Sequence, residues 1–557
     1  MRFSLSLMIA LAACLAAGGL QSHHPAGTEP TTADVVVARV YTDDRERVRR
    51  LGREHDLWGY VWRKGYAVIR TDRERLPADA LIDDEATAGL RPIPEPWRGT
   101  GTIPARPCYR TVEQTYDDLE ALATAEPQLA RWVDVGDSWE KSQDLGGYDL
   151  HALILSNQAI AGPKPVFMVM AASHARELAT AEAAARFAEM LFEGYGEDPD
   201  ITWILDYFEI HVVPHHNPDG RKIAEAQCSG ACTPGWRKNT NQDYCMVSPP
   251  DRGADLNRNA SGSFWGGPFS SSNECNATYR GASAASEPET SGLEAHAAAT
   301  FPDYRDAPAN DFLTPADGEA DGIFISMHSF SEIVFYPWEG IEQAPPNLAG
   351  LRALSQKMGY STTYAACQNC FLGPASGTNV DHVYEKLGVP SFTFEIGTEF
   401  GESCQSFEDS VLPQTLGGLF TALRHTRHSY LTPLGPDVYG LAYQPFAGGG
   451  TLSATADDGL RAVNGGGEPL DAAQAIAEVR FTIDQPPWLA EESFAMAPGD
   501  GAFDESQEDV IAILSSEQIS GAGIVFVYAE DADGNAGPPA AVWISGDDFF
   551  EDGFEAP

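Results

Sequence analysis

Val166-Phe-Met-Val-Met-Ala-Ala-Ser-His174-Ala-Arg176-Glu177-Leu-Ala-Thr180 is the stretch on which the reading of this chain turns. Its apolar opening is long enough for one buried strand, and the Ala- and Glu-rich run after it has helical character. His174 and Glu177 stand at i and i+3, where strand hands over to helix. An imidazole and a carboxylate placed there can turn the same way and hold one metal ion. Arg176 adds a fixed positive charge between them. With thirteen histidines in 557 residues, one such pair could arise by chance. The rest of the chain must therefore supply a third ligand, a base and a substrate anchor.

The surroundings favour an α/β arrangement. Phe167–Ala171, Phe208–Val213, Ile323–Met327 and Phe392–Glu395 read as buried strands. Ala179–Glu193, Asn347–Tyr360, Asn379–Leu387 and Pro413–Tyr430 read as helices. Such alternation predicts helices on both faces of a parallel or mixed sheet, with the active site at the carboxyl ends of its strands. His174, His328 and Glu395 all stand at such ends.

Four more stretches supply chemistry. Ile325-Ser-Met-His328 ends a strand in a histidine that can serve as third ligand, leaving one position open for water. Ser391-Phe-Thr-Phe-Glu395 ends an apolar strand in a carboxylate suited to general base and acid work. Gly253-Ala-Asp255-Leu-Asn257-Arg258 sets an amide beside a guanidinium, a pair that grips a carboxylate. Asp255 can accept a hydrogen bond from a ligand imidazole. Gly235-Trp-Arg237-Lys-Asn239 offers an Arg that could face a developing oxyanion.

In their order along the chain, H-A-R-E, N-P-D-G (Asn217–Gly220), W-R-K-N, D-L-N-R-N, M-H-S-F, A-S-G-T and S-F-T-F-E resemble the zinc carboxypeptidase family of the carboxypeptidase A type, over roughly Cys108 to Tyr430. The resemblance implies a mixed eight-stranded sheet flanked by helices. It implies one Zn2+ held by His174, Glu177 and His328, with Arg237 polarising the scissile carbonyl. It casts Asn257 and Arg258 as a clamp for the substrate's terminal carboxylate, with Arg176 helping to capture it. Glu395 becomes the base that activates the attacking water and passes its proton to the leaving amine. The implied substrates are peptide and protein C-termini. Val380 matches the floor of the specificity pocket, and an apolar floor favours hydrophobic C-terminal residues. The family's mobile Tyr is replaced by Gly373, with Tyr360 and Tyr364 as candidates to take its place. Cys245 and Cys275 match the family's disulfide. A zinc acylase or amidase acting on N-acyl amino acids or cell-wall peptides is the alternative enzyme. An inactive adhesion protein is a third reading, against which the intact His174, Glu177, His328 and Glu395 argue.

Composition bounds the partners. Eighty-one acidic against 36 basic residues leave a net charge of −45, which repels nucleic acid and anionic membrane surfaces. Residues 1–22 carry one Arg, an apolar core and small residues, the pattern of a secretory signal peptide. Leu11-Ala-Ala-Cys14 also resembles a lipoprotein site that would anchor the chain through Cys14; its early position favours ordinary cleavage near residues 18–22. The reading is of a secreted protein, extracellular or periplasmic. The eight cysteines beyond Cys14 favour structural disulfides in such a compartment.

Residues 34–105 read as a pro-segment or an N-terminal α+β subdomain, with strands at Val35–Tyr41 and Tyr66–Arg70, a charged helix over Asp43–Leu57 and a Pro-rich break at Arg91–Arg106. Residues 106–432 read as the catalytic domain. Residues 433–546 read as a β-sandwich, from alternating runs such as Val479–Ile483, Val510–Leu514 and Ile524–Tyr528. Asp531–Asn535 has a calcium-loop look, but Val542 stands where a bidentate Glu is needed, so a hairpin turn is expected. Residues 547–557 form an acidic tail.

Overall fold

The computed structural model describes residues 35–90, 101–228, 232, 234–246, 251–305, 308 and 311–544. The signal peptide, Cys14 and the acidic tail lie outside the described residues.

Residues 35–90 form a four-stranded antiparallel sheet with one main helix. Strands β1 (Val35–Tyr41), β2 (Asp56–Val61), β3 (Tyr66–Asp72) and β4 (Leu81–Ile82) lie in the order β2-β3-β1-β4. The helix runs only over Arg45–Glu54, capped by the Asp44 side chain. The expected helix over Asp43–Leu57 is too long: the backbone turns extended at His55, and Asp56 and Leu57 open β2. Leu51 and Val48 on its buried side join Val40, Tyr60 and Ile69 in a core that also takes in Ile333, Phe335, Cys367 and Phe371 from the neighbouring sheet.

A short hairpin of β5 (Thr102–Ile103) and β6 (Arg106–Arg110) leads into the large sheet. Its strands are β7 (Ala130–Asp137), β8 (Asp149–Leu155), β9 (Val166–Met170), β10 (Glu209–Val213), β11 (Ile323–His328), β12 (Ile333–Phe335), β13 (Ala365–Cys367) and β14 (Ser391–Glu395). Their order is β13-β12-β14-β11-β9-β10-β8-β7, which is mixed as expected. β14, β11, β9 and β10 run parallel to one another, β8 pairs antiparallel with β10 and β7, and β12 pairs antiparallel with β14 and parallel with β13. β9 and β11 are buried along their whole length, which explains their unbroken apolar sequence. Helices pack around the sheet, among them Leu178–Gly194, Leu348–Thr362, Asn379–Leu387 and Leu412–Arg424.

Beyond residue 436 two further four-stranded sheets enclose a separate apolar cluster that includes Val438, Leu452, Val479, Phe481, Leu514 and Val527. One is made of β15 (Asp437–Phe446), β16 (Gly449–Asp457), β19 (Ala497–Pro498) and β20 (Gln507–Ser515), and the other of β17 (Ile476–Ile483), β18 (Phe494–Ala495), β21 (Ile524–Asp531) and β22 (Ala540–Trp543). Asp531 closes a turn by accepting from Asp533 N and Asn535 N. Disulfides join Cys108–Cys404, Cys228–Cys232, Cys245–Cys275 and Cys367–Cys370. No helix among the described residues is long and apolar enough to cross a membrane.

Candidate active site

The parallel strands β9, β11 and β14 deliver four acids and bases to one place. β9 ends at Met170, and the turn that follows carries His174 and Glu177 to the start of helix Leu178–Gly194. β11 ends on His328 and β14 on Glu395, and these two residues are direct partners across the parallel pair.

His174, Glu177 and His328 are all nearly sealed from solvent, at 4%, 2% and 1% exposure. His174 Nδ1 lies 2.6 Å from Glu177 Oε1, and His328 Nδ1 lies 3.2 Å from both Glu177 Oε2 and His174 Nδ1. One donor atom from each of the three falls within 4.8 Å of the others, and this is the single such cluster among the described residues. Both imidazoles thus turn Nδ1 inward. Their outer nitrogens are held elsewhere: His174 Nε2 lies 3.1 Å from Asp255 Oδ1, and His328 Nε2 lies 3.0 Å from Ser326 Oγ. Two nitrogens and a carboxylate, oriented by outer hydrogen bonds, suit a zinc ion with an open coordination position.

The electrostatics agree with a site built for cation binding. Burial favours the neutral form of Glu177, but the charges and hydrogen bonds of His174 and His328 outweigh it and hold the carboxyl below its ordinary range. Burial, with Arg237 nearby, lowers His174, so it is neutral and able to donate a lone pair. Glu395 is pushed up to about 7, chiefly by burial against the pull of His328.

A cavity of about 860 Å³ opens over this cluster and is lined by His174, Glu177, Arg237, Asn257, Arg258 and Glu395. Arg237 gives Nε and Nη2 to Asp255 Oδ2 at 3.0 and 2.8 Å, so Asp255 ties the guanidinium to His174. Arg258 is steadied by Phe269 O at 2.8 Å, and the Asn257 Oδ1 accepts from Asn379 N at 3.3 Å. These sequence-derived residues therefore come together.

Three do not fall as expected. Arg176 is fully buried and does not line the cavity; it pairs with Asp56 of β2 at 3.3 Å and lies against the rings of Phe400 and Trp58. Val380 has no exposed surface, because the first turn of helix Asn379–Leu387 packs it among Met168, Met170 and Phe324 beneath the cavity. The apolar preference inferred from it loses its premise. Gly373 does line the cavity, with φ +80°, and the side chain of Arg49 lies against it. Neither Tyr364, which is buried, nor Tyr360, which is half exposed on its helix, reaches the cavity.

Sequence reasoning missed Glu339, which lines the cavity, and Asp56 and Trp58, which wall it from the N-terminal unit. It also missed Ser329, whose backbone N–H donates to Glu177 Oε2 at 3.2 Å. Pro337-Trp-Glu-Gly340 has no periodicity to mark it, so only the folded loop reveals Glu339.

The comparisons with known proteins agree with this geometry. The family described as zinc carboxypeptidase matches residues 115–407, just over half of the chain. The chain belongs to the zinc carboxypeptidase family and is a metallocarboxypeptidase hydrolase. Carboxypeptidase A2 of Mus musculus is 29% identical over 338 residues, covering 58% of this chain and 71% of that protein. Carboxypeptidase A1 of Sus scrofa is 28% identical over 337 residues, with the same coverage. The crystal structure of thrombin activatable fibrinolysis inhibitor shares the fold, at a TM-score of 0.51 and 18% identity, over 71% of this chain and 99% of that one.

Proposed function

We propose that the chain is an exported zinc carboxypeptidase that removes the C-terminal residue of peptides and proteins, and that residues 34–105 are a pro-segment covering its cleft. The observation that carries this reading is the clustering of His174, Glu177 and His328 beside a cavity that Glu395 and the Asn257–Arg258 pair also line. Export rests on four disulfides and the signal-like N-terminus.

His174, Glu177 and His328 would hold the zinc. When bound, it acts as a Lewis acid and brings the pKa of water to about 7. Asn257 and Arg258 bond the substrate's terminal carboxylate, which fixes the last peptide bond and excludes internal ones. Arg237, held by Asp255, donates to the oxygen on which negative charge grows. Glu395 takes a proton from the attacking water at its carboxylate and returns it to the leaving nitrogen. Because Glu395 must start ionised and burial raises it to about 7, kcat/KM rises with pH along its acid limb.

The deciding experiment is digestion of a defined peptide library by zinc-loaded protein, with product masses. Single residues leaving from the C-terminus are expected. Release confined to N-acyl amino acids would instead mark an amidase. In Glu395→Gln, turnover is expected to fall on the order of 1000-fold with zinc content unchanged; full hydrolysis in that variant would overturn the assignment of the base.

A further inference from the structure

The cavity holds an acid that the mechanism above leaves idle. Glu339 follows β12 in a loop and is 5% exposed, yet it lines the cavity together with Arg258, Thr393 and Glu395. Its backbone is pinned on both sides. The N–H groups of Glu339 and Gly340 donate to the two carboxylate oxygens of Asp381 at 2.8 and 2.7 Å, and Glu339 O accepts from Ala375 N at 2.7 Å. Asp381 sits in the first turn of helix Asn379–Leu387, so a rigid element fixes where Glu339 stands.

The carboxylate so placed has no cation of its own. No Lys, Arg or His forms an ion pair with it among the described residues. Burial raises its pKa, against the neighbouring hydroxyls of Thr393 and Thr378 and the charges of His328 and Arg258. Beside Thr378, Asn379 buries a side-chain amide with no hydrogen-bond partner at either atom. A buried carboxylate with no ion-pair partner is costly, and a cationic group entering the cavity would offset that cost. Val380, which would have made this end apolar, is packed beneath the cavity instead.

We propose that Glu339 sets specificity and that the cavity accepts a C-terminal residue with a cationic side chain, lysine or arginine. The inference rests on the carboxypeptidase reading. With the α-carboxylate held by Asn257 and Arg258, the departing residue's side chain reaches the part of the cavity that Glu339 lines. There its carboxylate meets an ammonium as a point charge or a guanidinium as a fork.

The test uses the full zinc-loaded chain and N-acyl dipeptides ending in Arg, Lys, Leu or Phe. We expect kcat/KM for Arg and Lys to exceed that for Phe at least about tenfold. Glu339→Gln should lower the Arg-to-Phe ratio on the order of 100-fold, while Glu339→Asp keeps a basic preference. A wild-type preference for Phe or Leu, or a ratio unchanged in Glu339→Gln, overturns the proposal. If the wild type cleaves no C-terminal residue at all, the carboxypeptidase reading fails. Calorimetry of free arginine against free phenylalanine then judges the pocket by itself: tighter arginine binding that is lost in Glu339→Gln upholds it, and equal binding overturns it.

Discussion

The two units attached to the large sheet are held in contrasting ways. The N-terminal unit sits at the carboxyl ends of the strands, where Asp56, Trp58 and Arg70 form one wall of the cavity. Two of its ion pairs lie near the rim, Arg63 to Glu332 at 2.9 Å and Arg49 to Glu342 at 3.0 Å, with Arg63 41% and Glu342 63% exposed. The C-terminal sandwich contributes nothing to the cavity, whose lining ends at Glu395. It docks on helices Leu348–Thr362, Leu412–Arg424 and Pro199–Tyr207. Lys357 is 1% exposed and pairs with Asp437, while Trp203 packs edge-on to Trp488 and Phe526. Attachment over the cleft thus combines exposed rim ion pairs with the sealed Arg176–Asp56 pair and a shared apolar core, whereas attachment away from it leans on the sealed Lys357–Asp437 pair and on aromatic packing. The exposed rim pairs make the N-terminal unit the better suited of the two to release.

The contrast can be broken in four places. Lys357→Met strands the buried Asp437 carboxylate and is expected to cost about 3–5 kcal/mol in urea unfolding. It should leave kcat/KM of the folded enzyme unchanged, and a large change would show that the sandwich governs the cleft after all. Cleavage within the Pro-rich stretch 91–106, followed by removal of the N-terminal unit, should raise kcat/KM on peptides by roughly 10- to 1000-fold. That is the inverse of a small open population in the intact chain. An unchanged rate would mean the unit is no lid.

Asp56→Asn weakens the hold on Arg176 while keeping an acceptor, so peptide turnover by the intact chain should rise about tenfold at most. The smallest effect is one of pH. Burial lowers His425, 3.3 Å from Asp437, to about 4, so between about pH 6.5 and 4 the unfolded chain binds a proton that the folded one refuses. Stability should therefore fall by about 1 kcal/mol as pH drops from 7 to 5.5. In that window the N-terminal contact persists. Arg176 and Arg70 overcome the effect of burial and hold Asp56 below its ordinary range, so its contribution is lost only at more acidic pH. Thermal melts and turnover of the intact chain across these pH values check both statements.

The central sheet was legible because its middle strands are buried on both faces and end in the residues that do chemistry. β11 and β14 are therefore apolar runs closed by His328 and Glu395, and β9 is one followed at once by the turn that carries His174 and Glu177. The outer strands were not. β7 alternates and lies half exposed, and β12 and β13 are only three residues long. The candidate metal-binding residues His174, Glu177 and His328, with Asn257, Arg258 and Glu395, could be named because each sits in a short motif with fixed order. Arg176 was misjudged because its partner Asp56 is 120 residues away, in a unit whose docking no local pattern reports. Gly59 is a trace of that docking: a Cβ there would come within 2.6 Å of Phe330, in the loop that follows His328.

The Cys108–Cys404 bond joins residues 296 apart. Every residue assigned a part in binding or chemistry, from His174 to Glu395, lies inside the covalent ring it closes, and both attached units lie outside. A protease that trims either end meets a closed loop at Cys108 or Cys404. Shedding the N-terminal unit would therefore leave the working part tethered to itself, its new free end fastened beside the last turn of the fold it serves.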